Sequence, residues 1–263
     1  ILAEASWLDA LRQDTDITVP RILRSQRGDR VLQLRGAGIP DVWNATLMSY
    51  LPGRLLGKYL TENNIEKMGV LFAKLHIHGK EWSLPPDFSK RVFDGFLSRG
   101  EPDVLFDPEQ LEGYSQYQLA LTRRVHGLVA REYSLLDRED LRVIHCDLWH
   151  DNIKLHRGVL CPFDFEDTVR GFRLHDIAMA MLDLLEDTDN YRYPQLLAAF
   201  RRGYETLIEW PPGKIEALQA GRLLWKINYV ARFERTWMPQ MVKRHEPILN
   251  HFVKTGEIRL FAL

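Results

Sequence analysis

The first residues carry apolar side chains at a helical spacing. Ile1, Leu2, Trp7, Leu8 and Leu11, with Glu4 among them, fall near a 3.6-residue period. A helix to about Arg12 is expected, broken at Asp14-Thr15-Asp16. The period then shortens. Val19-Pro20 marks an extended entry, because the residue before proline is pushed out of the helical region. Ile22-Leu23, Val31-Leu32-Gln33-Leu34 and Thr46-Leu47-Met48-Ser49-Tyr50-Leu51 read as short strands between Gly- and Asp-bearing turns. Pro52-Gly53 closes this part, and a boundary between two lobes, 1–52 and 53–263, is placed there.

Beyond it the helical pattern returns. Thr61 can cap a helix over 61–78 with Ile65, Met68, Phe72 and Leu75 on one face, and with His76 and His78 near its end. A Pro- and Asp-bearing stretch covers 84–108. A second helix is expected over 114–135, with Tyr117, Leu121, Leu128 and Val129 as its stripe. Further helices are expected over 174–185, 193–209, 215–237 and 239–253. There is no internal repeat. Strands first and helices after make the class α+β rather than an alternating α/β sheet.

Composition narrows the function classes. A chain of 263 residues is one large domain or two lobes, and buries a core without disulfides. Lys and Arg number 35 against 36 Asp and Glu, so no overall basic field favours nucleic acid or an anionic membrane. The longest apolar run, 177–182, is far short of the roughly 20 residues a spanning helix needs. Cys146 and Cys161 are too few for a disulfide framework, and they read as small packed residues in a reduced, cytoplasmic protein. No signal peptide pattern is visible.

The informative segment is 141–166. Arg157-Gly158 sits between two short alternating runs and predicts a hairpin in which His156 pairs with Val159. Asn152 then falls opposite Phe163, about 5 Å from the strand that leads into Asp164, with Asp147 a short loop away. Two oxygen ligands for a hard cation and a nearby carboxylate base suit phosphoryl transfer through Mg²⁺. His145, Cys146, His150 and Asp151 could alternatively form a soft-metal cluster. No second Cys/His pair stands at zinc-ribbon spacing, and Asp151 reads as a solvated loop carboxylate.

His145-x-Asp147-x-x-x-x-Asn152, followed by Asp164-Phe165-Glu166, matches the spacing of a kinase catalytic loop and metal motif. With Ile144-His145-Cys146-Asp147-Leu148 and His175-Asp176-Ile177-Ala178, the chain resembles the aminoglycoside phosphotransferase and choline kinase superfamily. Glu4 in the opening helix and Leu51-Pro52-Gly53 after a strand also look like that family.

The resemblance implies a bilobal protein-kinase-like fold, with a partial N-lobe and a mostly helical C-lobe. It implies Asp147 as the group that accepts or orients the proton of the substrate hydroxyl. Asn152 and Asp164 would hold Mg²⁺ on the phosphates of ATP. His145 would brace the loop and Asp176 would anchor it. Met48, Ser49, Tyr50 and Leu51 would form the hinge that meets adenine, and Glu4 would pair with a lysine on a preceding strand. The chain has no such lysine and no glycine-rich phosphate loop before Glu4. Gly36-Ala37-Gly38 lacks the third glycine of a dinucleotide turn, because Asp41 stands there. The segment 53–58 is one residue short of a Walker loop, and both stretches read as ordinary turns. The chain opens on Ile1 inside a helix, so an extension of several dozen residues carrying the missing parts is expected before it.

The acceptor implied is a small-molecule hydroxyl, of an aminoglycoside-, choline- or homoserine-like compound. Asp176 follows Asp164 by only 12 residues and no Ala-Pro-Glu-like motif appears, which disfavours a protein kinase of the same fold. A non-catalytic nucleotide-binding module is the other alternative. Trp149, His150, Glu166 and Asp167 are candidates to meet the acceptor, although Glu166 and Asp167 serve a structural salt bridge equally well. Trp225, Tyr229 and Arg232 share one helical face; helix packing is the favoured reading and an acceptor pocket with Trp149 the alternative.

Overall fold

The computed structural model describes residues 2–36, 43–86, 88, 92–97 and 100–261. In chain order its elements are α1 (Leu2–Asp14), β1 (Ile22–Leu23), β2 (Leu32–Leu34), β3 (Trp43–Ala45), β4 (Leu47–Met48), β5 (Arg54–Leu55), α2 (Glu62–Glu81), β6 (Val92–Phe93) and α3 (Gln116–Leu135). They continue with β7 (Arg142–Ile144), β8 (Ile153–His156), β9 (Val159–Pro162), β10 (Val169–Gly171), α4 (Arg173–Glu186), α5 (Tyr193–Glu205), α6 (Ile215–Phe233) and α7 (Met238–Thr255). The α+β class holds. The turn at Gly36-Ala37-Gly38 and Asp41 falls mostly on residues 37–42, outside the described residues.

The chain forms two compact units. The first comprises Ile1–Lys90, Arg142–Arg170 and Gln195–Trp210, the second Arg91–Leu141, Gly171–Pro194 and Pro211–Leu263.

In the first unit, α1 buries Ala5, Trp7, Leu8 and Leu11. The Trp7 ring meets Phe165 edge-on at 5.3 Å, and its indole N–H donates to His78 Nδ1 at 3.0 Å. Thr61 caps α2 by accepting from the Asn64 amide, and Ile65, Met68, Phe72 and Leu75 are buried as their spacing predicts. His76 and His78 are interior: His76 Nδ1 lies 2.9 Å from the Tyr204 hydroxyl, and His78 Nε2 lies 3.1 Å from Asp14. Helix α2 lies directly on β7. A Cβ placed on Gly79 would stand 2.1 Å from the Val143 carbonyl oxygen, so only glycine lets the helix backbone come this close. Strand β4 is shorter than the run 46–51 predicts, and β2 pairs with β3, a strand the sequence pattern did not show. The Trp43–Ala45 segment is too short and too exposed for a burial period to appear in it.

The second unit is a helical packing of α3, α4, α6 and α7. Helix α3 buries Leu121, Val125, Val129 and Tyr133, while Tyr117 and Leu128 are exposed. The predicted stripe was therefore rotated: the neighbours α6 and α7 select the face, and a position one residue away turns about 100° from it. The helix expected over 215–237 ends at Phe233, where Glu234 leaves helical geometry at φ −140° and ψ 53°. A short turn, Arg235–Trp237, leads into α7. Helix α5 likewise stops at Glu205, before the predicted 209.

Candidate active site

The hairpin of β8 and β9 builds the centre. Its pairs run from His156 with Val159 to Ile153 with Pro162. The two-residue turn places Arg157 at φ 50° and Gly158 at φ 82°, the positive angles of a turn that matches strand twist. Asn152 therefore lies opposite Phe163, whose N–H donates to the Asn152 carbonyl at 3.0 Å. This is the register expected from the sequence.

Asn152 is buried, and its side chain reaches back into the loop. Nδ2 donates to the Asp147 carbonyl at 2.8 Å and to Asp147 Oδ2 at 3.1 Å. With both amide hydrogens so engaged, Oδ1 is left as an acceptor or ligand. Asp147 is half-buried. Cys146 before it takes φ 70°, an unusual angle for a non-glycine residue, and thereby turns the chain sharply between β7 and the loop that bears Asp147. His145 Nε2 donates to the Phe163 carbonyl at 3.0 Å and its ring lies 4.4 Å from Phe165, so it grips the end of β9 just before Asp164. Asp164 itself is exposed and left-handed, φ 64° and ψ 58°. Such angles cost a non-glycine residue free energy and cluster at functional sites.

Helix α1 packs on the Phe165–Asp167 turn and brings Glu4 to this region. Burial raises the Glu4 pKa, and the Asp164 and Glu166 carboxylates push it the same way. No cation pairs with Glu4 among the described residues. In the turn, Glu166 is exposed and Asp167 half-buried.

The segment 48–51 joins this centre through β5. Met48 pairs with Ile22, and the Ser49 amide donates to the Arg21 carbonyl at 2.8 Å. The reciprocal donor, the Arg21 N–H, goes instead to Ser49 Oγ at 2.9 Å. The Ser49 carbonyl is thereby kept out of the ladder. Tyr50 is exposed and Leu51 buried. The chain then turns at Gly53 (φ 124°), where a Cβ would stand 2.9 Å from the Leu155 carbonyl oxygen, and β5 pairs with β8.

Trp149 is half-buried at the start of the Asp151-bearing turn, and His150 is buried with its ring 5.1 Å from Trp149. Asp151 is half-buried beside Gly57, not a solvated carboxylate as its loop position suggests. Both cysteines are buried and free, and burial pushes the Cys161 thiol up in pKa.

The second unit holds the remaining candidates. Asp176 is buried in the first turn of α4. On α6 the Trp225 indole donates to Glu101 Oε1 at 2.8 Å, the Arg222 guanidinium lies 4.2 Å over the Trp225 ring, and the Tyr229 ring is 5.4 Å away. Tyr229 and Arg232 are exposed, with the Tyr229 ring also 4.9 Å from that of Phe233; the buried face of α6 includes Leu218, Leu223, Leu224 and Ile227.

A divalent cation fits the centre by donor chemistry. Asn152 Oδ1 and the Asp164 carboxylate are hard oxygen donors, few enough to leave positions for phosphate and water. Among the described residues no three His, Cys, Asp or Glu side chains are grouped to hold a metal by themselves.

Sequence reasoning passed over Lys154. Its position was legible, two residues after Asn152 on the predicted hairpin. Its Nζ donates to the Leu51 carbonyl at 2.8 Å and lies 4.8 Å from the Tyr50 ring centre and 5.7 Å from that of Phe163.

The sequence matches the phosphotransferase enzyme family over residues 1–215. The chain belongs to that family. Three solved phosphotransferase structures are similar to it. The microcompartment-associated aminopropanol kinase is 21% identical over 99% of this chain and 83% of its own, with a TM-score of 0.77. An amicoumacin kinase, solved with AMP-PNP, Ca²⁺ and Ami, is 17% identical over 99% of this chain and 79% of its own, with a TM-score of 0.75. Spectinomycin phosphotransferase, in complex with ADP and spectinomycin, is 12% identical over 92% of this chain and 78% of its own, with a TM-score of 0.60. At these identities the likeness shows the fold, which is that of the protein-kinase-like phosphotransferases. Comparison with curated protein sequences gives no match. Among the described residues of this phosphotransferase, no helix is long and apolar enough to cross a membrane.

Proposed function

We propose that this phosphotransferase moves the γ-phosphoryl group of ATP to a hydroxyl of a small molecule, with Mg²⁺ as its metal. The observation that carries the reading is the Asn152 amide bound through both its hydrogens to Asp147, opposite the strand that ends in a left-handed Asp164.

Asp147 is the acceptor of the hydroxyl proton. The substrate oxygen then bonds to the γ-phosphorus as the bond to the β,γ-bridging oxygen breaks, and ADP leaves. Asn152 holds the Asp147 carboxylate at a fixed angle and turns its own oxygen toward the metal. Asp164 supplies the charged ligand. Mg²⁺, when bound, offsets the charge of the phosphate oxygens. His145 fixes the backbone just before Asp164, and Asp176 is proposed as an anchor in α4. The segment 48–51 is the reading surface for the base. Residues 1–52 and 53–263 are proposed as the functional lobes.

The acceptor is an aminoglycoside-, choline- or homoserine-like alcohol. Similarity to kinases named for aminopropanol, amicoumacin and spectinomycin supports this class. Trp149, His150, Glu166 and Asp167 are proposed to meet it from the first unit. The half-buried ring of Trp225 and the exposed Tyr229 and Arg232 are proposed as an acceptor-binding surface of the second. The buried free thiols suit a cytoplasmic protein.

The test is release of ADP from ATP and Mg²⁺ against a panel of amino alcohols, aminoglycosides, choline and homoserine, beside a protein extract. Acceptor-dependent release with a small molecule, and its mass increased by one phosphoryl group, is expected. Label entering only protein overturns the reading.

A further inference from the structure

We propose that Lys154 is a specificity-determining residue for the phosphoryl donor: it lets the site take a purine nucleotide with an exocyclic carbonyl, as in GTP, alongside ATP. The proposal rests on the phosphotransferase reading of the site and deepens it.

Across an antiparallel pair, directly opposed side chains share a face. Asn152, in the turn just before β8, opposes Phe163; Lys154 opposes Cys161, and its ammonium lies 5.7 Å from the Phe163 ring. The residue opposite the metal-side amide therefore also meets an ammonium group. Strand β5, which leaves the 48–51 segment, pairs with β8 at Lys154 itself, through Leu55. Lys154 thus lies where the base-reading segment and the catalytic hairpin meet, its ammonium against the Leu51 carbonyl and the Tyr50 ring.

The hydrogen-bond accounting of the segment then decides what base edge it can meet. The Leu51 carbonyl is occupied by Lys154. The Ser49 carbonyl is kept free, because Ser49 Oγ takes the Arg21 N–H that its own carbonyl would otherwise accept. The Ser49 carbonyl is thus offered to the exocyclic amino group of adenine. The ammonium carries three donors and spends one on Leu51, so two more are available beside it. An exocyclic carbonyl, as on guanine or hypoxanthine, needs such a donor. The carbonyls of the segment repel that oxygen; beside the backbone N–H groups of Tyr50 and Leu51, the lysine adds a charged donor that offsets them. The two aromatic rings hold the ammonium by cation–π attraction without consuming its N–H groups.

The test is calorimetry of non-hydrolysable ATP and GTP analogues with Mg²⁺ on the full chain, for wild type, Lys154→Met and Lys154→Arg. Losing a hydrogen bond from a charged donor weakens binding by about 10- to 100-fold. Lys154→Met should therefore raise the ratio of the GTP to the ATP dissociation constant by about tenfold or more, mainly by weakening GTP. Lys154→Arg keeps a donor and should stay near the wild-type ratio. If the Lys154→Met protein does not fold by circular dichroism, Lys154→Leu, which also has no donor, takes its place with the same expectation. A ratio that moves less than about tenfold while ATP still binds in a Mg²⁺- and Asp164-dependent way overturns the role of Lys154 and leaves the phosphotransferase reading standing. Failure of both nucleotides to bind the wild type overturns that reading and this proposal together.

Discussion

At the scale of single residues the site divides its labour by chemistry. Asp147 carries a charge that the Asn152 amide orients rather than neutralises. Replacing it by Asn keeps the shape and removes the proposed proton acceptor. Asp147→Asn should lower kcat by about 10²- to 10⁴-fold and leave nucleotide affinity near wild type; steady-state kinetics beside calorimetry separates the two. Asp164→Ala removes the proposed charged metal ligand and should weaken nucleotide binding in Mg²⁺ strongly, whereas Asn152→Ala removes a proposed neutral one and should do so less. Titration with and without the metal reads the difference. A fourth residue acts on stability alone. His245 of α7 is buried, and neither ring nitrogen has a hydrogen-bond partner. Burial, with Lys226 and Arg244 nearby, lowers its pKa to about 4 from the ordinary 6.5. The folded chain therefore refuses a proton that the unfolded chain accepts. Its stability is full above about pH 6.5 and falls as pH drops toward 4, by up to about 3 kcal/mol at this position. His245→Leu should lose less melting temperature than wild type between pH 7 and pH 4.5. An equal loss in both proteins would show that other groups govern the acid limit.

At the scale of elements, the catalytic loop is held by a strand on each side and a helix beneath. Helix α2 reaches β7 because Gly79 has no side chain, and β7 feeds directly into His145 and Asp147. Gly79→Ala sets a methyl against the Val143 carbonyl and should destabilise the protein by about 1–3 kcal/mol, as overpacking does. Chemical denaturation measures it, and a larger fall in kcat than Gly127→Ala, at a glycine of α3 with open space around it, is expected. The β8–β9 hairpin was readable in advance, since Arg157-Gly158 fixes the turn and the turn fixes every pair. Helix α3 was readable in extent but not in its buried face. Apolar positions lie all around the helix, and the face that is buried is the one α6 and α7 cover. The break at Glu234 was equally hidden, because no proline or glycine marks it.

At the scale of the molecule, binding is linkage. A nucleotide that binds only the folded state at about 100 times its dissociation constant adds about 2.7 kcal/mol. For a chain of this size that raises the melting temperature by roughly 5–10 °C. Thermal melts with Mg²⁺ and ATP should show the rise, chelation should remove it, and Asp164→Ala should not show it at all. An equal rise in Asp164→Ala would place the nucleotide elsewhere.

The sequence by itself determined the α+β class, the helices from Glu62 onward and the hairpin that sets Asn152 beside Asp164. These are local properties: a burial period, a cap at Thr61, a turn at Arg157-Gly158. It also carried the family, because the spacing of His145, Asp147, Asn152 and Asp164 is itself a one-dimensional record of the loop. What only the tertiary structure decided involves partners far apart in the chain. Lys154 meets Leu51 across 103 positions, Trp7 meets His78 across 71, and Glu4 reaches the carboxylates of Asp164 and Glu166. No periodicity encodes such meetings. They arise when α1, the 48–51 segment and the hairpin are packed into one unit, and the free energy of burying their apolar faces selects which polar groups come together.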